Sequence, residues 1–370
     1  MLSIKVHAID ISSCASLDQE GATYYLTSDI INFSSVICMD ITSVNNVILD
    51  CQGHIIDGTI PTGAYGIYVY RDSETATNIT IKNCILTDWS NGIYLYYSTN
   101  NTIINSTFDF NSDANIYFES SNNNSIINST ISNSNNGIEL VNSSYNTIVN
   151  SNISFNTYYG IYLSYDSNNT IINSTVNSNY DTGILLEFSG NNTIYNNIIQ
   201  DNTNYGIYLY YSGSNKIYNN LFNNTNNFIF DRTIYANIWN TTKQLGQRIY
   251  SSGIYIGGNY WANPTGDGYS DTCTDSDTDG FCDESYTLAD DNIDYLPLSS
   301  LFIIPEEPEK EKYDPMTSAV LSIIPFAISI GMISLVLRRS LAEFNVEYIV
   351  GLAIITIITI ALLIAIIEAI

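Results

Sequence analysis

The chain has 370 residues and carries 37 Asp plus Glu against 11 Lys plus Arg, a formal net charge of −26. That balance excludes nucleic acid as a partner, because neutralising phosphates needs a basic patch. With His7 and His54 as its two histidines, the chain also lacks the material for a histidine-rich metal cluster.

Met1 to Ala8 is too short for a secretory signal peptide, yet Val6-His7-Ala8 is similar to the small-residue site that ends one. An ordinary first strand explains the same residues. Residues 1–45 read as an N-terminal segment and cap, since an open solenoid end would expose strand edges and core. The six cysteines fall into an N-terminal group of four, Cys14, Cys38, Cys51 and Cys84, and a C-terminal pair, Cys273 with Cys282. An even count fits an oxidising compartment, and six cysteines allow 15 connectivities. Cys51 and Cys84 occupy near-equivalent places on adjacent coils, which favours a bridge between them. Sequons at Asn78, Asn105, Asn128, Asn173 and Asn191 would make an exported chain a glycoprotein.

Residues 46–245 hold a repeat. Isoleucines preceded by Gly or Asn stand at Ile93, Ile116, Ile138, Ile161, Ile184 and Ile207, spaced 23, 22, 23, 23 and 23 residues apart. A fixed period of this length marks a solenoid. Between Gly137 and Gly160, Ile138-Glu139-Leu140, Thr147-Ile148-Val149 and the stretch around Ile153 alternate as strands between polar turns. Three strands in about 23 residues predict one coil of an all-β, right-handed parallel β-helix.

Laid in register, the copies sort into columns. Ile93, Leu95, Ile116, Phe118, Ile138, Leu140, Ile161, Leu163, Ile184, Leu186, Ile207 and Leu209 are expected to point inward. Ile104, Ile127, Val149, Ile172, Phe108, Ile131 and Ile153 are expected to complete that core. Asn83, Asn105, Asn128, Asn150, Asn173, Asn196 and Asn219 form a column read as an amide ladder. Gly66, Gly92, Asn115, Gly137, Gly160, Gly183 and Gly206 form another, read as a site of positive φ. Two outward columns are rich in tyrosine. One is Tyr68, Tyr94, Tyr117, Glu139, Tyr162, Leu185 and Tyr208; the other is Tyr70, Tyr96, Glu119, Val141, Ser164, Glu187 and Tyr210. Flat amphipathic rings at regular spacing suit stacking on a polysaccharide or surface glycan, or an envelope-protein interface.

Catalytic material is sparse. Lys216 is the only Lys or Arg between Lys82 and Arg232, which leaves little for a lyase. Glu119 and Glu139 are the candidates for a glycoside hydrolase, on neighbouring coils at a diagonal near the carboxyl separation that inversion requires.

Residues 246–300 read as the C-terminal cap. Within it Asp275-Ser276-Asp277-Thr278-Asp279-Gly280-Phe281-Cys282-Asp283 spaces Asp275, Asp277, Asp279, the Phe281 carbonyl and Asp283 as calcium ligands. Tyr286 stands where a bidentate Glu is expected, so Asp290, Asp291 or Asp294 would have to substitute. Residues 301–315 form a charged stalk. Residues 316–337 and 349–367 are apolar and long enough to cross a bilayer as a two-helix hairpin, with Arg338 and Arg339 between them. The cysteine pattern places the solenoid on the extracellular or periplasmic side and the Arg pair inside.

The repeats, the opening run Val47-Ile48-Leu49-Asp50-Cys51-Gln52-Gly53-His54-Ile55-Ile56-Asp57-Gly58, and the closing segments Gly257-Gly258-Asn259-Tyr260-Trp261 and Asp294-Tyr295-Leu296-Pro297-Leu298 resemble the NosD-type right-handed β-helix family. That family is also described as carbohydrate-binding and sugar-hydrolase repeats, and the resemblance covers roughly residues 12 to 300. It implies a surface or periplasmic protein, with glycan binding or a helper role in metalloenzyme maturation. The expected function is therefore that of a membrane-anchored surface β-helix that binds glycans, with turnover or metalloenzyme help as alternatives.

Overall fold

The computed structural model describes residues 7–59, 62–70, 76–251 and 253–300. The expected stalk and both expected membrane spans lie outside the described residues. No helix among the described residues is long and apolar enough to cross a membrane.

Three parallel sheets of ten strands each run the length of the solenoid. One coil supplies one strand to each. Asn136–Val141 is a long strand, and Thr147–Val149 and Asn152–Ser154 are short ones. The regular coils stack in one register, so Ile116 pairs with Ile138 and Ile138 with Ile161, whereas the early strand Ile30–Phe33 shifts register against Ile55–Gly58. Parallel strands about 4.8 Å apart thus place equivalent side chains directly over one another.

The inward residues of the long strands are buried as expected, Ile93 through Leu209 being at most 2% exposed. Phe108, Ile131 and Ile153 are buried too. The middle strand differs by one residue from the expectation. Ile103, Ile126, Ile148 and Ile171 fill the core, while Ile104, Ile127, Val149 and Ile172 face outward and are half-buried. A Thr-Ile-Ile strand offers an apolar residue to either face, so alternation alone does not choose between them.

The asparagine column from Asn83 to Asn219 forms the expected amide rung at Asn219, which donates to Asn196 at 2.5 Å, but its main task is another. These residues adopt φ between 49° and 58°, the left-handed conformation that Asn tolerates best after Gly. They turn a corner, and Asn105, Asn128 and Asn173 are exposed there. The amide ladders lie elsewhere, at buried corners. In one, the Asn101 N–H donates to the Asn124 Oδ1 at 2.9 Å, and the pattern continues through Asn146, Asn169, Asn192, Asn215 and Asn237 to Asn292. A second runs Ser106, Ser129, Ser151, Ser174, Asn197, Asn220, Asn259. A third runs Ser98, Ser121, Ser143, Asp166, Ser189, Ser212. Each rung satisfies a backbone N–H that the corner leaves outside the sheets.

The glycine column is also explained by space rather than by φ. A Cβ on Gly92 would sit 2.7 Å from the Asn115 carbonyl and 3.0 Å from the Asn111 amide, and one on Gly160 would sit 2.7 Å from the Asn179 amide. Asn115 fits because the matching corner of its coil holds the smaller Ser134. The Asn115 amide then donates to the Ser132 carbonyl at 2.8 Å.

At the N-terminal end the sheets already begin at His7, Ala15 and Ile30, so strands occupy the segment expected to be only a cap. His7 and Ala8 pair with Ala22 and Thr23 as the first strand. The 23-residue period does not show there because the early coils are longer and lack the Asn ladders. Cys14–Cys38, Cys51–Cys84 and Cys273–Cys282 are bonded. At the other end Tyr260–Ala262 adds the last strand of one sheet. Trp239 and Trp261 cover the core there, their indole N–H groups donating to Asn292 and Asp294.

Asp166 interrupts a serine ladder. Neighbouring rungs donate their hydroxyls to inner carbonyls, Ser143 to Phe118 and Ser189 to Leu163. Asp166 is 2% exposed, and its Oδ2 has no partner among the described residues. A carboxylate cannot supply the donor that the serines supply, whereas a carboxylic acid can. Burial pushes its pKa up to about 8, against the Ser143 N–H that it accepts. The folded chain therefore binds this proton more tightly than the unfolded one, and stability falls as pH rises from about 4 through 8. Asp166→Ser is expected to raise the melting temperature more at pH 9 than at pH 5. Equal shifts at the two pH values would show that Asp166 is ionised in the fold.

Candidate functional site

The two outward columns of the long-strand sheet have the register read from the sequence. Tyr94, Tyr117, Glu139, Tyr162, Leu185 and Tyr208 pair successively, as do Tyr96, Glu119, Val141, Ser164, Glu187 and Tyr210. Alternation places both columns outward, and the tyrosines are half-buried. They do not form one continuous row. Tyr68, Tyr70, Tyr94, Tyr96 and Tyr117 gather into a patch with Tyr65, with ring centroids 4.8 to 5.8 Å apart. Tyr162 pairs with Tyr159, and Tyr208 with Tyr205, as smaller groups. Glu139 and the buried Leu185 make the gaps. Tyr65, Tyr159 and Tyr205 escaped the sequence reading, although each directly precedes a glycine of the recurrent column.

Phenols and acids are tied diagonally across coils. The Tyr94 hydroxyl donates to Glu119 at 2.5 Å, the Tyr162 hydroxyl to Glu187, and the Tyr208 hydroxyl to Asp231 at 2.6 Å. In each case a tyrosine of the first column reaches an acid of the second column one coil on. Burial, and then the adjoining acid, raises all three phenols above the ordinary tyrosine range. Burial lifts Tyr68 to about 12. The rings are therefore neutral hydrogen-bonding surfaces at any physiological pH.

Glu119 accepts from Tyr94 and, at 3.4 Å, from Tyr117. Glu139 accepts from the Asn136 amide at 2.8 Å, and burial nevertheless pushes its carboxyl above the usual carboxylate range. Tyr117 lies between them, paired with Glu139 and two residues before Glu119 on its own strand.

The acidic loop is partly assembled. Ligand oxygens of Asp275, Asp277 and Asp283 lie within 4.8 Å of one another. Asp279 turns away to Lys243, 2.5 Å from its Nζ. Phe281 bridges to Leu298, and its ring lies under the Arg248 guanidinium. Asp294 cannot complete the set. It is wholly buried and accepts from the Asn259 and Leu296 N–H groups and the Trp261 indole. The sequence motif shows spacing, but not the cation or the packing that draws these two acids elsewhere. Hard oxygen ligands of three carboxylates fit calcium.

Residues 65–222 match the family model described as a right handed beta helix region. The repeats are a right-handed parallel β-helix. This match identifies the repeat architecture and not the NosD-type branch within it. No curated protein matches the chain. Among solved structures, full-length tailspike protein 2 from Escherichia coli O157:H7 bacteriophage CAB120 is similar with a TM-score of 0.53 at 14% identity, over 73% of this chain and 43% of that one. The β-helix thus spans under half the tailspike's length. The periplasmic alginate epimerase AlgG gives a TM-score of 0.42 at 14% identity, over 63% of this chain and 72% of that one. Alginate lyase from Paenibacillus sp. str. FPU-7 gives 0.46 at 14%, over 62% and 93%. At such identity the likeness is one of fold.

Proposed function

We propose that the chain is a membrane-anchored, extracellular or periplasmic β-helix whose long-strand face binds a polysaccharide or surface glycan. The patch of Tyr65, Tyr68, Tyr70, Tyr94, Tyr96 and Tyr117 carries this reading. It offers flat rings 4.8 to 5.8 Å apart. The neutral phenols and the Glu119 carboxylate supply polar edges, which is the mixture that sugar rings require. Three disulfides support an oxidising compartment. The apolar segments 316–337 and 349–367 support anchoring. Asn78, Asn105, Asn128, Asn173 and Asn191 are exposed, so their sequons are accessible to glycosylation.

Two alternatives rest on particular residues. The raised pKa of Glu139 suits a general acid, with Glu119 as the second carboxyl of a hydrolase. The closing motifs Gly257–Trp261 and Asp294–Leu298 support a NosD-type helper in metalloenzyme maturation. A genomic neighbourhood without any metalloenzyme would count against that role.

Tyr94→Ala, Tyr117→Ala and Tyr162→Ala together are expected to weaken binding on a glycan array at least tenfold while the far-ultraviolet circular dichroism stays unchanged. Unaltered binding would falsify the face as a glycan site. A pull-down that retains envelope protein and no glycan would reassign the same face. For the hydrolase, Glu119→Gln with Glu139→Gln should abolish reducing-end release from a cleaved glycan, and full release from the double variant removes that reading. We also propose that Asp275, Asp277 and Asp283 hold a structural calcium ion. Millimolar calcium is expected to raise the melting temperature by a few degrees, and Asp277→Asn to remove the rise. Calorimetry that detects no heat of binding would discard the ion.

A further inference from the structure

The corner that follows each long strand places one residue per coil at positive φ. Along the helix these are Tyr97, Ser120, Asn142, Tyr165, Phe188 and Tyr211, with φ between 47° and 59°. Asn142 shows the low-strain choice for such a position. An aromatic side chain there is an outlier, and three stand in succession. Tyr165 and Phe188 stack at 4.9 Å and 12°, and Phe188 and Tyr211 at 5.2 Å and 6°. Their rings are not core. Tyr165 is 59% and Phe188 40% exposed. Exposed aromatics at positive φ also occur singly at Tyr97, Phe110, Tyr145 and Phe155, but among the described residues only Tyr165, Phe188 and Tyr211 stack into a column of three, a combination of strain and ordered exposed area that points to a function.

Beside the stack lies a cleft of about 390 Å³, walled by Phe188, Tyr211 and Tyr235 and floored by Gly190 and Gly213. The floor is kept bare by sterics. A Cβ on Gly190 would meet the Gly213 carbonyl at 2.8 Å, and one on Gly213 would meet Tyr235 at 2.4 Å. Ser214, at the rim, is exposed. None of the lining residues is charged. The neighbouring Arg232 guanidinium lies 3.7 Å from Asp231 and over the Tyr210 ring, outside the lining. The chain as a whole carries −26, with Lys216 as the only cation in sequence between Lys82 and Arg232. The lining thus offers a polyuronate or phosphorylated glycan no ion-pair partner, and the acidic chain disfavours its approach.

We infer that this corner cleft is a second glycan subsite, one that takes an uncharged pyranose against Tyr211 and Tyr235 at the end of the Tyr165–Phe188–Tyr211 stack. It extends the glycan-binding reading to residues outside the two long-strand columns and names the class of glycan. Phe188 is covered on both faces by Tyr165 and Tyr211, so Tyr211 and Tyr235 supply the stacking surface, bare glycines admit the ring, and serine and tyrosine hydroxyls meet its polar edge. The cleft joins the long-strand face at Tyr210, whose ring meets Phe188 edge-on at 5.4 Å.

Affinity electrophoresis of the purified full-length chain in mild detergent tests this, with gels containing hydroxyethylcellulose, galactomannan or sodium alginate. Retardation is expected in at least one neutral gel and not in alginate. Phe188→Asn and Tyr211→Asn install the residue that Asn142 already places at this corner, so the backbone is relieved. Each is expected to weaken retardation at least tenfold, measured per folded molecule by circular dichroism, with the melting temperature held or raised. Both variants retarded like the parent would overturn the corner site, as would a parent retarded only by alginate or by no gel. The Tyr94, Tyr117 and Tyr162 triple variant, run alongside, separates the readings. Loss in the triple variant alone overturns the corner and leaves the long-strand face standing. Loss in the corner variants alone supports the corner and removes the face.

Discussion

The regular coils of this β-helix depend on a hydrogen bond that no sheet provides. At the buried corners a backbone N–H points along the solenoid axis and finds its acceptor on the side chain one coil away. The Asn101-to-Asn292 and Ser106-to-Asn259 ladders repeat that bond from coil to coil. A buried N–H without such a partner costs about 1–3 kcal/mol, and the cost would recur at every turn. The isoleucine core supplies most of the driving force, but the ladders hold the coils at one height and one rotation. That register aligns the tyrosine columns.

The same constraint explains the composition. Corners between ladder residues require left-handed backbone, and Asn meets that requirement on the surface just as it meets the ladder requirement inside. One residue type therefore fills two columns for unrelated reasons. Glycine serves a third need, the close approach of the long strand to the amides of a neighbouring corner. Where Ser134 replaces an amide, Asn115 takes the place of glycine. Most of the polarity of this chain is thus structural, and function is confined to side chains that the scaffold leaves free to vary.

Those free positions are the outward long-strand residues and the corner after them. On the face, tyrosines are tied to Glu119, Glu187 and Asp231, which fixes ring orientation and occupies the acids. That arrangement favours a rigid binding surface over a mobile acid–base pair. Glu139, held by Asn136 and raised by burial, is the exception. The acidic loop near Cys273–Cys282 sits apart from the tyrosine columns in the sequence.

The amino-acid sequence by itself determined the period, the three-strand coil and the pairing of Tyr94 with Tyr117 and of Tyr117 with Glu139, and it favoured the Cys51–Cys84 bridge. All of these follow from a repeat whose copies must stack in one register. It could not determine which of two adjacent isoleucines enters the core, because Ile103 and Ile104 are chemically identical and only the corner geometry distinguishes them. Nor could it tell the ladder asparagines from the corner asparagines four residues away. The ties between phenols and acids across coils, the turn of Asp279 towards Lys243 and the Phe188–Tyr211 cleft were decided in three dimensions. Each depends on side chains far apart in sequence that come within a few ångströms of one another only after the coils have closed.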